Sequence, residues 1–130
     1  MTHYRQVAAL LTCLALCGCA SMREDFAAAL SSKGEKELEF GIRAYEDGEY
    51  PYAARLLQAS LDAGLRGISN RMRAHKYLAF VNCASNRIQQ CRDEFNKALG
   101  VNPSFTLRED EAGHPIWGPV FHAVKAERKK

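Results

Sequence analysis

Residues 76–103 read KYLAFVNCASNRIQQCRDEFNKALGVNP, and the spacing of their apolar residues decides the fold. Leu78, Ala79 and Val81 belong to one helix that runs to about Ala84. Ser85-Asn86-Arg87 is a polar break with room only for a tight connection. Ile88, Cys91, Phe95, Ala98 and Leu99 then recur at helical spacing, and Gly100 and Pro103 mark the end of that run. Small residues let two antiparallel helices approach, and a large residue fills the space between them. Ala79 against Cys91 is the expected close approach here, with Phe95 as the filler.

A second unit precedes it. Leu38, Ile42 and Tyr45 recur at helical spacing, with Phe40 and Ala44 beside them, and Asp47-Gly48 breaks the run. Pro51 suits an early helical position, where its missing N–H costs nothing. Ala53, Ala54, Leu57 and Leu61 lead to Gly64, placed as a helix-ending glycine. Ser69 or Asn70 is the expected cap of the following helix. The close approach expected in this unit sets Gly41 against Ala53, with Leu57 as the filler. Leu78-Ala79, Cys91, Phe95, Ala98 and Pro103 resemble the tetratricopeptide pattern, as do Phe40-Gly41, Gly48, Tyr50, Ala53, Leu57 and Ser60. Gly41 and Ala79 are 38 residues apart, against about 34 in that family, and the extra residues fit the Leu65–Ser69 loop. Glu37 and His75 depart from the bulky residue usual near the repeat start, and Leu65 replaces the terminal proline. No stretch of the sequence alternates with period two, so the expected fold class is all-α: two repeats over 35–103 (35–66 and 69–103). Two repeats leave apolar surface at their ends. Residues 104–130 are expected to cap them through an arm and a helix, Pro119 being an early helical residue and Trp117 and Phe121 packing on the second repeat.

The chain opens differently. His3 and Arg5 precede an apolar run from Val7 to Leu16, followed by Leu16-Cys17-Gly18-Cys19. A charged start, a short apolar core and a small-residue site read as a secretory signal peptide, too short for a spanning helix. Leu16, Gly18 and Cys19 resemble the lipobox of bacterial lipoproteins. That resemblance implies a signal over 1–18, cut before Cys19, and a covalent lipid on Cys19 as the membrane anchor. A plain secreted protein cut near Ala20 is the alternative. Cys13 and Cys17 follow Thr12 and Leu16, which suit the peptidase poorly. Ala20 stands where an inner-membrane retention signal has Asp, so the expected location is the periplasmic face of the outer membrane. Residues 19–34, small and polar, are expected to be a tether that reaches at most about 50 Å when extended, with a helix around Asp25 to Leu30.

Composition narrows the function. The 130 residues carry a formal charge of +3, one less without Arg5, which disfavours nucleic acid as the main partner. The basic run Lys125–Lys130 reads as a solvated helix end. His75, His114 and His122 lack metal-ligand spacing, and the sequence has no phosphate loop or nucleophile elbow. Glu35, Glu37 and Glu39 read as a solvated helix start, and Asp110 and Glu111 precede a turn. The expectation is therefore no catalytic residue, no metal, no small-molecule substrate and no cofactor beyond the lipid. Cys83 and Cys91 fall opposite each other across the second hairpin. In an oxidising compartment they are expected to form a disulfide worth about 2–3 kcal/mol; two buried free thiols are the alternative.

Helical repeats bind partners along a concave groove. Here that face is expected to include Ile42, Tyr45, Arg73, Lys76, Tyr77 and Phe80, which suit a peptide with apolar anchors and an acidic group. The C-terminal arm is the competing occupant. Lipobox, tether, two degenerate repeats, the Cys83/Cys91 hairpin and the arm around Gly113-His114-Pro115-Ile116-Trp117-Gly118-Pro119 together resemble the TssQ-family lipoproteins associated with type VI secretion. The resemblance implies an accessory protein held at the envelope that acts through contacts with secretion-apparatus proteins. A pilotin-like lipoprotein serving a pilus or secretin, and a peptidoglycan enzyme or its activator, are the alternatives.

Overall fold

The computed structural model describes residues 2–129, with side chains described from residue 22 onward. The described residues form α1 (Thr2–Glu46), α2 (Tyr50–Asp62), α3 (Ile68–Ala84), α4 (Ile88–Val101), α5 (Glu109–Ala112) and α6 (Gly118–Glu127). No strand occurs among them, so the fold is all-α. Helix α1 pairs with α2 and α3 with α4; α2 packs on α3, and α6 lies on α4.

The two hairpins repeat each other down to single backbone bonds. At the end of α1, Glu49 N–H donates to Ala44 O (2.8 Å) and Gly48 N–H to Tyr45 O (3.0 Å). At the end of α3, Arg87 N–H donates to Asn82 O (2.8 Å) and Asn86 N–H to Cys83 O (3.1 Å). Every atom of the second set lies 38 residues after its counterpart. This helix ending needs a positive φ at one residue. Gly48 supplies it at 79° and Asn86 at 58°, asparagine being a non-glycine residue that tolerates this region.

The second helices repeat as well. Ala53, Leu57 and Ser60 of α2 and Cys91, Phe95 and Ala98 of α4 are all 0 % exposed. The expected small–large–small spacing is thus the buried seam of both hairpins. In the first hairpin, a Cβ added at Gly41 would lie 2.8 Å from Leu57 Cγ and 3.1 Å from Leu57 N. Gly41 makes room for Leu57, the residue that fills the hairpin.

Two helix ends also differ from expectation. Helix α3 starts at Ile68 behind Gly67, whose φ of 75° turns the chain with no side-chain cap. Ser69 and Asn70 lie inside the first turn. Helix α4 runs through Gly100 to Val101, because the side chain of Asn102 accepts from Ser104 N–H at 3.0 Å and makes the turn instead. Pro51 and Pro119 sit at the starts of α2 and α6 as expected, and Gly64 follows α2 at a φ of 86°.

Residues 22–34 are helical and continue α1, so they rise about 1.5 Å per residue and not the ~3.3 Å of an extended tether. Packing begins at Ser31, which is buried. A Cβ on Gly34 would meet Ser60 O at 2.9 Å. Cys19 and its cleavage site lie outside the residues whose side chains are described.

The core falls into two clusters. Leu38, Ile42, Leu57, Leu65 and Leu78 fill the first, and Phe80, Phe95, Leu99, Trp117 and Phe121 the second. Tyr45 and Tyr77 pack against both.

Candidate functional site

Of the residues expected to line a groove, Lys76 and Phe80 meet the protein's own C-terminal arm and Tyr45 and Tyr77 pack beside them, whereas Ile42 lies in the first core cluster and Arg73 pairs with Glu39. Trp117 stacks on Phe80 with ring centroids 4.5 Å apart. Phe121 meets Phe95 edge-on at 5.2 Å and Phe105 at 5.4 Å. Edge-on and offset rings are the favoured aromatic geometries. Trp117 and Phe121 therefore pack on the second hairpin as the sequence predicts.

Lys76 is the centre of the arrangement. Its ammonium lies 2.6 Å from Glu111 Oε1 of α5, over the Tyr77 ring at 4.7 Å and the Phe80 ring at 5.6 Å. Glu111 is held in turn: its Oε2 accepts Arg108 N–H at 3.0 Å, and its carbonyl accepts Trp117 Nε1–H at 3.0 Å. One residue therefore caps α5, neutralises a buried lysine and fixes the tryptophan.

Of the two occupants expected for the groove, the geometry is that of the arm. Lys76 and Phe80 are buried beneath the arm, and Ile42 is buried in the first core cluster with Leu38, Leu57 and Leu78. The physical reason is twofold. A buried ammonium needs an anion, and an aromatic face of this size needs cover; the arm supplies both. Tyr45 and Tyr77 remain half-buried, 5.3 Å apart edge to face. Arg73 lies on the outer rim and donates to Glu39 at 2.9 Å. Burial, with the neighbouring Tyr50 and Tyr77 hydroxyls, pushes the Tyr45 phenol up to about 12. Burial and then Glu111 push Tyr77 up as well. Both shifts favour the neutral phenol.

A second polar cluster lies between α3 and α4. Glu94 Oε2 is 2.7 Å from His75 Nδ1, and Glu94 Oε1 accepts from Lys97 at 2.6 Å. Burial raises the Glu94 pKa, but hydrogen bonds from His75 and Lys97 outweigh it and hold the carboxyl below its usual range. His114 stacks face to face on Trp117. Among the described residues, no group of three His, Cys, Asp or Glu side chains converges to hold a metal ion, and no helix is long and apolar enough to cross a membrane.

Cys83 and Cys91 lie at disulfide distance, with sulfurs 2.10 Å and Cα atoms 5.2 Å apart. Of the two expectations for this pair, the geometry is that of the bridge. Both residues sit in the core, so the link ties α3 to α4 at the turn.

The role of Glu111 is not visible in its own sequence neighbourhood, where it merely precedes a turn. A signal exists. Lys76 lies 38 residues after Leu38, a core position that is 1 % exposed. A lysine at a core position implies a buried acid elsewhere. Compared with protein-family models, with curated proteins and with solved structures, the chain matches none.

Proposed function

We propose that this chain is a lipid-anchored envelope protein whose two tetratricopeptide-like hairpins act through protein contacts, as an accessory component of a type VI secretion apparatus. The observation that carries the reading is Leu16-Cys17-Gly18-Cys19 placed directly ahead of a stack of paired helices. The 38-residue repetition of turn bonds and buried triplets supports the repeat assignment. The Cys83–Cys91 pair suits an oxidising compartment. Ala20 after the lipidated cysteine favours the outer membrane, with the domain on its periplasmic side. Because the arm fills the groove, partners meet the outer faces of the hairpins and the rim around Arg73 and Tyr77.

Cross-linking in intact cells, followed by capture of the lipidated protein, tests the proposal. Sheath, baseplate or membrane-complex components of the secretion machine are the expected catch. Pilus or secretin subunits in their place would assign the protein to a pilotin-like role. A Cys19→Ser variant is expected to leave the membrane fraction and to lose function; a variant that kept both would end the anchor reading.

A further inference from the structure

We propose that the two turns of α1 just before the folded domain are an interfacial membrane element, with Met22, Phe26 and Leu30 inserted at the boundary between headgroups and acyl chains. The proposal rests on the reading of Cys19 as the lipidated residue. The three side chains are 74 %, 66 % and 38 % exposed. They follow one another four residues apart and so share one helical stripe. Cys19 stands three residues before Met22 in the chain. The stripe is not a continuation of the domain's core face: that face starts at Ser31 and runs through Leu38 and Ile42, roughly 140° around the helix from the stripe at ~100° per residue.

The anchor decides what covers the stripe. Cys19 and Leu30 are eleven residues apart, roughly 17 Å along a helix. An acyl chain on Cys19 holds the whole stripe within that distance of the bilayer. Insertion of Met22 and Phe26 is then effectively intramolecular, which favours the lipid over a second copy of the chain or a soluble partner. Charge plays little part. Arg23 is offset by Glu24 and Asp25, so the segment offers no cationic face to anionic lipid. Apolar burial alone drives insertion. The element therefore works on zwitterionic lipid and is insensitive to salt. It would hold the domain at a fixed height and angle, not on a loose tether.

The test uses the full lipidated protein in phosphatidylcholine vesicles, with and without brominated acyl chains. Tryptophan is introduced by Phe26→Trp on the stripe or by Glu24→Trp on the opposite face; Trp117 is buried in the protein and gives the background. Bromolipid is expected to quench the residue-26 emission at least about twofold more than the residue-24 emission, at low and high salt alike. Equal quenching at both positions, on protein that carries acylated Cys19 by mass and floats with the vesicles, overturns the insertion and leaves the anchor standing. An unquenched, blue-shifted residue-26 emission that appears together with dimers on sedimentation assigns the stripe to a second copy and also overturns it. An unmodified Cys19 peptide in the mass spectrum removes both the anchor and the insertion.

Discussion

Lys76 on α3 and Glu111 on α5 meet at 2.6 Å, 35 residues apart in the chain, with both side chains almost wholly removed from solvent. In the first hairpin the corresponding position is Leu38, which packs into the core with Ile42, Leu57 and Leu78. The second hairpin has replaced an apolar contact with an ion pair that closes only when residues 104–117 fold back. The arm is therefore selected by charge as well as by apolar area.

Removing one partner should be far worse than removing both. Glu111→Ala leaves a buried ammonium unpaired and is expected to cost about 3–5 kcal/mol. The double change Lys76→Leu with Glu111→Leu is expected to restore most of that loss, because it returns the site to the chemistry of Leu38. Urea unfolding of the three proteins measures both effects. Equal losses in the single and double variants would show that the pair does not set the docking of the arm.

Two helical glycines should respond in opposite directions. Gly41→Ala drives a methyl into Leu57, backbone nitrogen included, and is expected to destabilise by about 1–3 kcal/mol. Gly100 has open space around its Cβ direction and lies inside α4. Gly100→Ala is expected to stabilise by about 0.5–1 kcal/mol through the unfolded chain. Thermal melts of both variants give the sign.

The Cys83–Cys91 link closes a short loop, with the two residues eight apart in sequence. Reduction, or Cys83→Ser with Cys91→Ser, is expected to cost about 2–3 kcal/mol and to leave the helices in place. The intact mass of the oxidised protein should be about two mass units below the reduced form, as a disulfide has lost two hydrogens. Two titratable thiols in unfolded, unreduced protein would exclude the bridge.

The Glu94 carboxyl sits below its usual range, so the folded state binds its proton more weakly than the unfolded chain does. The stabilisation is fully present above the unfolded value and is lost as pH falls through the lower folded one. Stability should therefore drop below about pH 4.3, the unperturbed Glu value, and Glu94→Gln should flatten that limb of the profile. Tyr45 acts in the opposite direction. Its pKa is raised to about 12, so its contribution is whole below pH 10 and disappears as pH rises toward 12; Tyr45→Phe should flatten the alkaline limb. Unfolding midpoints across pH read both.

By itself the sequence determined what local chemistry controls. Apolar spacing set the helices, Pro51, Pro119 and Gly64 set their ends, and the turn at Ser85-Asn86-Arg87 brought Cys83 opposite Cys91. Even the docking of Trp117 and Phe121 was legible, since an arm with that much apolar area must be covered. These signals depend on residues within a few turns of one another. Ser69 and Gly100 misled because capping residues compete, and Gly67 and Asn102 make the turns in their place. Only the tertiary structure decided that Gly41 yields to Leu57, that Glu111 neutralises Lys76, and that the arm occupies the groove. Each depends on which of two distant surfaces meet, and no local propensity encodes that choice. It is made by the need to pair a buried charge and to cover aromatic rings, two demands that one segment satisfies together.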